Sequence, residues 1–366
     1  MQITISRNIL AGALADLAPL ANKKTTLVIL NYVKFVTKGN KIRLQTSDGE
    51  TSIRKYIEAE SIDQDGDFLV DCADLNSFLG KVKGDTLQLT LAGNTLTVKH
   101  SKGKAQFQTL PVDDFPEPKQ DSEATEVAVP ASALANLISV ASNFVSNDDF
   151  RPQMKPIRAI VKDNELTVCA TDTRVLIKDA VSLTDCPQEV AWYIEQSAFS
   201  SLLKTCKGQE VAIVRVSPTN ASYRIGATTI FTQQTMGNFP DFKRVIPADH
   251  AIDVTFKKSE ADEAVQRAML FTEDSKLAKI AVSALAMNIE AENLSKITKA
   301  VETFACESNN EITFGVNADK FMDCIKACAS DEVKMELSDA SRPIVFKDGN
   351  NPNRVILCMP MTLLNK

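Results

Sequence analysis

The feature that most constrains this chain is an internal repeat. Leu75, Phe78, Leu79 and Val82 stand at i, i+3, i+4 and i+7, the spacing that places four apolar side chains on one face of a helix. Phe199, Leu202, Leu203 and Cys206 follow 124 residues later, and Phe321, Cys324, Ile325 and Cys328 another 122 residues on. A turn motif keeps the same period. Phe239-Pro240, inside Met236-Gly-Asn-Phe-Pro-Asp-Phe-Lys-Arg-Val-Ile-Pro247, lies 124 residues after Phe115-Pro116, and Met359-Pro360-Met361 is a shorter echo near the C-terminus. One such helix arises by chance; three in register with a turn motif imply a triplicated unit, and that sets the architecture before any local reading.

Each unit opens with a short strand and a helix. The first helix carries the apolar stripe Leu10, Ala13, Leu14 and Leu17, broken at Asn22-Lys23-Lys24. The second carries Leu134, Leu137, Ile138 and Ala141 after Pro130, and the third, weaker, Ala261, Ala264, Val265 and Ala268. Alternating strands follow: Lys38-Gly39-Asn40 and Lys162-Asp163-Asn164 mark hairpins, and Asp48 and Asp172 hold equivalent turn positions. A second helix and further strands, among them 86–91 and 94–98, complete the unit. The pattern predicts an α+β fold, two helices on a predominantly antiparallel sheet, three times over. At 366 residues the chain suits two or three domains of about 150 residues. The repeat sets three, over 1–122, 123–247 and 248–366, with a polar linker at 119–124 and a stiff crossing at 240–247.

Chemistry is conspicuous mainly by what the sequence lacks. His100 and His250 have no partner at metal or catalytic spacing, and there is no Gly-rich phosphate loop, Gly-x-Ser-x-Gly or paired-acid motif. Cys324 and Cys328 fall where core residues sit in the other repeats, and Asp48 and Asp172 read as hairpin geometry rather than acid/base groups. The eight cysteines form no Cys-x-x-Cys and read as buried, reduced thiols. No enzyme activity, cofactor or metal is expected. The start, Met1-Gln-Ile-Thr-Ile-Ser6, alternates like a strand, and no stretch reaches the ~20 apolar residues of a membrane span, which predicts a cytoplasmic protein with no membrane partner. A formal charge of −6 disfavours a broad adhesive DNA-binding surface. Lys81, Lys204 and Lys326, opposite the stripes of the second helices with few acids beside them except Asp323, leave room for a local basic face.

Four segments carry a family resemblance: Ala170-Thr171-Asp172 after a strand, 238–247, Ser341-Arg342-Pro343-Ile344, and 355–361. In their order and spacing, over the whole length, they resemble the bacterial DNA polymerase III beta subunit, the replicative sliding clamp family. The resemblance implies the DNA clamp fold: three-domain subunits, each half of a closed ring, joined head to tail as a homodimer around duplex DNA, with helices lining the hole. Such a ring has no catalytic activity. It tethers DNA polymerase and gives processivity, and takes a clamp loader and other replication and repair proteins as further partners. The hold on DNA is topological, so the inside needs only enough positive potential to let a duplex slide. A triplicated protein-binding scaffold without DNA encirclement shares every repeat feature and differs only in the whole-length match and the basic helix faces.

Position by position, the resemblance implies a partner-peptide pocket of Met154, Thr171, Leu176, Pro240, Arg244, Val245, Asn317, Pro343, Leu357, Cys358, Met359, Pro360 and Met361. Flexible Met side chains suit a surface that accepts several partners. It also implies a subunit contact of Ala105 and Phe107 against Met269 and Leu270, and DNA-facing loops at Lys24 and Arg151, to which the helix lysines Lys81, Lys204 and Lys326 are added. After Thr171-Asp172 the family shows a small residue and then His-Arg-Leu, whereas this chain has Thr173-Arg174-Val175-Leu176. On a strand, a basic residue moved by one position would point to the other face.

Overall fold

The computed structural model describes residues 1–21, 27–119, 121, 123–293 and 295–363. The first third contains β1 (Gln2–Ser6), α1 (Arg7–Ala21), β2 (Tyr32–Lys38), β3 (Lys41–Ser47), β4 (Thr51–Glu58), β5 (Ser61–Ile62), β6 (Asp67–Asp71), α2 (Cys72–Lys81), β7 (Thr86–Ala92), β8 (Thr95–His100) and β9 (Gly103–Leu110). The middle third contains β10 (Thr125–Pro130), α3 (Ala131–Ala141), β11 (Ile157–Lys162), β12 (Glu165–Thr171), β13 (Val175–Ser182), β14 (Val190–Ile194), α4 (Phe199–Thr205), β15 (Val211–Val216), β16 (Asn220–Ile225) and β17 (Thr228–Gln233). The last contains β18 (Ile252–Lys257), α5 (Lys258–Met269), β19 (Leu277–Val282), β20 (Ala286–Asn293), β21 (Thr298–Ser308), β22 (Ile312–Asn317), α6 (Ala318–Ala327), β23 (Glu332–Leu337), β24 (Ile344–Asp348) and β25 (Asn351–Cys358). One order of elements thus occurs three times, with only the short β5 added in the first. Pairing repeats with it, β1·β7, β10·β15 and β18·β23 being one equivalent set and β2·β6, β11·β14 and β19·β22 another.

Two compact units follow from these sheets, Met1–Ala135 with Ser197–Gln234, and Asn136–Gln196 with Thr235–Lys366. Unit 1 holds a 13-stranded sheet and unit 2 a 12-stranded one, and the paired strands within each are antiparallel. The units divide the middle third because its strands join two different neighbours: β17 pairs with β4 (Thr232↔Thr51, Phe231↔Ser52), and β13 pairs with β25 (Val175↔Cys358, Leu176↔Leu357).

Local chemistry accounts for the elements. All twelve residues of the three first-helix stripes are buried, so packing rather than propensity fixes these helices. Asp71 caps α2 by accepting from the Asp74 N–H at 2.9 Å, and Asn317 caps α6 by accepting from that of Lys320 at 3.1 Å. Lys258 Nζ donates to the carbonyls of Lys326 and Cys328 at the C-terminal end of α6. Asp163 and Asn164 both take positive φ (52° and 59°), as a two-residue hairpin requires. Two stripe residues depart from full burial. Leu203 is half-buried, and so is Phe78, whose ring meets Phe107 edge-on at 5.6 Å. The eight cysteines are free and buried; burial pushes the Cys72 and Cys328 thiols up to about 12 and Cys206 to about 11.

A sealed ionic cluster joins β13 to β25. Arg354 donates through Nε to Asp179 at 2.8 Å and through Nη1 to the Ala327 carbonyl at 2.6 Å, and lies 3.5 Å from Asp348. Asp348 in turn accepts from the N–H groups of Ala329 and Ser330, and Asn351 donates to Asp179. Burial of this kind holds only when every charge is paired.

Candidate partner-binding cleft

Unit 2 carries an open cleft of about 220 Å³ lined by Met154, Thr171, Thr173, Arg174, Val175, Leu176, Pro240, Asp241, Phe242, Val245, Leu357 and Met359. Its floor is a buried apolar cluster of Cys169, Leu176, Phe242, Val345 and Leu357, against which Phe239 and Ile246 pack. Three local devices hold the walls. At the first, the Thr171 hydroxyl donates to the Val175 carbonyl (2.7 Å), and Asp172 Oδ1 accepts from the N–H groups of Arg174 and Val175 (2.9 Å each). This turn forces Thr173 to φ 79°, a costly conformation for a β-branched residue. At the second, Asp241 caps the short helical turn Phe242–Arg244 by accepting from the Lys243 N–H. At the third, Glu195 accepts from the Thr235 N–H (2.8 Å) and hydroxyl (2.9 Å), and the Tyr193 hydroxyl donates to the Gly237 carbonyl at 3.0 Å.

Behind the first turn, Asp172 Oδ2 pairs with Lys320 at 2.9 Å. Burial alone would lower the Lys320 ammonium, but the hydrogen bond and charge of Asp172 outweigh it and hold the group above its ordinary range. Asp323 moves up, through burial first, in spite of the charge of Lys320. The lining Thr171 hydroxyl and Asp241 carboxylate are committed to a turn and a cap, and the exposed surface of the cleft is mostly apolar. Apolar side chains buried in a cleft of this kind would each contribute roughly 1.5–3 kcal/mol.

Of the residues assigned to the pocket from sequence, Met154, Thr171, Leu176, Pro240, Val245, Leu357 and Met359 line this cleft. Arg244 is exposed nearby and pairs with Asp241 at 2.9 Å. Asn317 is the α6 cap, and Pro343 is half-buried just before β24. Cys358 is buried; Pro360 is half-buried, and Met361 donates its N–H to the Gly315 carbonyl at 2.7 Å, tying the tail to β22. A Cβ on Gly315 would meet the Met361 carbonyl oxygen at 2.6 Å, so glycine is required at that crossing. Sequence reasoning missed Thr173, Arg174, Val175, Asp241 and Phe242 as lining. The doubled Phe of Phe239-Pro240-Asp241-Phe242 was the available signal for the last. Arg174 also corrects the strand argument: it lies in the turn before β13, exposed at the rim, so the alternation of a strand does not govern it.

The basic positions are more heavily partnered than the sequence suggests. Lys204 pairs with Asp16 of α1 at 2.7 Å, and Lys326 stands 3.7 Å from Asp262 of α5, so these helix lysines do have acids beside them. Acids on a neighbouring helix are invisible to helical spacing. Arg151 lies 3.7 Å from Asp148 and donates to the Thr173 hydroxyl at 3.3 Å. Lys81 is exposed in the last turn of α2, and Lys24 lies outside the described residues. Ala105 and Phe107 are half-buried on β9, Met269 ends α5, and Leu270 after it is 81% exposed. His250 does have partners: Nε2 lies 3.4 Å from Asp253 and Nδ1 3.6 Å from Glu336. Lys334 sits 2.8 Å from the same Asp253 oxygen and 3.5 Å from Glu336, so a cation of the chain itself already pairs with these carboxylates.

A threefold order of elements in two antiparallel sheets is the architecture of a clamp-type fold. The family model of the DNA polymerase III beta subunit, N-terminal domain, matches residues 1–119, and that of its C-terminal domain matches residues 243–362. The chain belongs to this family, whose members are non-enzymatic processivity factors. It is 25% identical over 377 residues to the beta sliding clamp of Bacillus subtilis (strain 168), covering 99% of each chain. Its fold matches the DNA polymerase III subunit beta of Pseudomonas aeruginosa with a TM-score of 0.95 at 21% identity, covering 99% of this chain and 100% of that one. The griselimycin-bound form of the Pseudomonas aeruginosa clamp matches with a TM-score of 0.94 at 22% identity and the same coverage. No helix among the described residues is long and apolar enough to cross a membrane.

Proposed function

We propose that this chain acts as a DNA sliding clamp, two copies closing head to tail around duplex DNA and tethering DNA polymerase, a clamp loader and other partners to it. The observation that carries this reading is a pair of strand edges. The fourth strand of one third pairs with the last strand of the next in β4·β17 and again in β13·β25. The remaining members of the two sets are β21 and β9. Residues 103–108 of β9 pair with β8 on one side only, and residues 298–305 of β21 with β20 on one side only, among the described residues. Open edges of this length invite a partner strand. Placing β21 of one copy against β9 of another repeats the same junction, and head-to-tail contacts yield a closed ring when the rotation closes.

In this reading the repeating unit is the clamp domain, at 1–122, 123–247 and 248–366. Ala105 and Phe107 on β9 meet Met269 and Leu270 of the other copy, covering the exposed Leu270. The unit 2 cleft takes the short motif of each partner, with Leu176, Phe242 and Leu357 as its floor and Met154, Val245 and Met359 as adjustable walls. The griselimycin-bound relative fits a clamp surface that accepts ligands. Lys81 and Arg151 face DNA, and Lys204 and Lys326 add a charge moderated by Asp16 and Asp262, which suits sliding better than adhesion.

Light scattering tests the assembly. The wild type should show twice the 40.0 kDa chain mass at micromolar concentration, and Leu270→Asp, at a site that is exposed in the single chain, should give folded monomers. A monomeric wild type, or a Leu270→Asp variant that keeps the doubled mass, contradicts the proposed contact.

A further inference from the structure

Arg174 stands apart from the other residues that line the unit 2 cleft. It is exposed, and its guanidinium meets no carboxylate among the described residues. Its backbone, by contrast, is pinned. The Arg174 N–H donates to Asp172 Oδ1 at 2.9 Å, and its carbonyl accepts from the Met359 N–H at 2.7 Å. The preceding Thr173 donates its N–H to the Thr171 hydroxyl at 3.1 Å and accepts from Arg151 on its own hydroxyl at 3.3 Å. The cation is therefore placed in advance beside Met359 and near the floor residue Leu176, while its charged tip stays free.

The turn itself does not require this charge. Its counterpart in unit 1 makes the same bonds: the Ser47 hydroxyl donates to the Thr51 carbonyl, and Asp48 Oδ1 accepts from the N–H groups of Glu50 and Thr51. There Glu50, 124 residues earlier, holds the place of Arg174 in the wall of a cavity of about 360 Å³, and Ser52 holds that of Leu176. One turn thus folds with either sign of charge at this place, which leaves the Arg174 side chain without a structural duty. The acids around it are already engaged. Asp241 in the lining pairs with Arg244 at 2.9 Å, Asp172 pairs with Lys320 at 2.9 Å, and Asp148 lies 3.7 Å from Arg151. Lys243, exposed on the Phe242–Arg244 turn, adds a further cation without an acidic partner among the described residues. Uncompensated positive charge therefore borders an apolar floor.

We propose that Arg174 sets the specificity of this cleft: its preferred occupant is an extended partner segment in which an Asp or Glu side chain directly flanks the apolar residues that fill the floor. The inference rests on the reading of the cleft as a peptide site. Neighbouring side chains of an extended segment point to opposite sides, so an acid next to a buried apolar residue turns to the rim, where a guanidinium can hold it through paired N–H···O bonds. A nucleic-acid backbone offers charge but no aliphatic side chain for Leu176, Phe242 and Leu357. An internal side chain suits the site better than a chain terminus, because Arg174 lies at an exposed rim that a segment passes over.

Fluorescence anisotropy on the full chain would compare labelled, C-terminally amidated Gly-Glu-Leu-Leu-Phe-Gly and Gly-Leu-Leu-Phe-Glu-Gly with the same peptides carrying Gln in place of Glu. In one of the two orders, fixed by the direction in which the segment runs, the carboxylate should tighten binding about fivefold, and the gain should shrink as salt rises. Arg174→Gln should abolish the gain and leave the Gln probes unchanged, and Arg174→Glu should reverse it, favouring Lys over Glu in the probe. Lys119→Gln, an exposed charge change in unit 1, should leave the gain intact, and Met359→Ala should weaken all probes alike. Equal affinity for Glu and Gln probes in both orders, a gain that survives Arg174→Gln, or a gain that appears only with a free terminal carboxylate overturns the proposal and leaves the cleft reading standing. So does displacement of the Glu probe by a short DNA strand at lower concentration than by unlabelled peptide. Probes that do not bind, or that ignore Met359→Ala, overturn the cleft reading and the proposal with it.

Discussion

The two sheet junctions share a backbone plan and differ in how their charges meet water. At β4·β17 the cluster of Lys34, Arg43 and Arg54 converges on Glu117, whose side chain is 43% exposed. At β13·β25, Arg354, Asp179 and Asp348 are sealed, at 4%, 1% and 0% exposure, and the cleft above is apolar. Backbone repetition thus fixes where a cleft forms, while side chains set its polarity. The electrostatic accounts also differ: a sealed charge depends wholly on its partner, whereas an open one can fall back on water.

Mutation should expose that difference most strongly at the sealed junction. Arg354→Ala leaves two buried carboxylates without their cation, and a loss of about 3–5 kcal/mol in urea unfolding is expected. Arg54→Ala should cost far less, because Glu117 keeps Lys34, Arg43 and solvent, and the repulsion between Arg43 and Arg54 disappears. Equal losses at the two sites would break the comparison.

Acid gives a smaller effect at the open junction. Burial alone would raise Glu117, but the Lys34 hydrogen bond and the charges of Arg54, Lys34 and Arg43 outweigh it and hold the carboxyl below its ordinary 4.5. A carboxyl depressed in the folded state contributes stability that is present above the unfolded value and is lost as pH falls through the folded one. Wild-type unfolding midpoints should therefore decline as pH drops below about 4.5, and Glu117→Gln should decline less steeply over that window. Parallel curves for the two proteins would remove Glu117 from the account.

Much of the fold is legible in the sequence because local rules carry it. The stripes Leu10 to Leu17, Leu134 to Ala141 and Ala261 to Ala268 obey helical spacing, and Asp163-Asn164 announces its turn. What escapes is the identity of neighbours. Alternation tells that one face of β4 or β13 is buried but not that β17 or β25 lies alongside. Arg354 and Asp179 are 175 residues apart, and Glu117 finds its three cations from β2, β3 and β4. The cleft shows the same division. Leu176, Leu357 and Met359 came from the motifs, whereas the anchors Tyr193 and Glu195 hold the 235–237 segment through contacts that no motif encodes.

Encirclement of DNA is tested most directly by separating affinity from topology. Direct electrostatic binding weakens with salt, at about −0.9 in log K per phosphate neutralised for each unit of log salt concentration. A closed ring loaded on nicked circular DNA should instead persist at salt that abolishes binding to linear duplex, and a single restriction cut in the circle should release it within the dead time of gel filtration. Retention after the cut, or loss from the intact circle while the dimer persists, would contradict the ring.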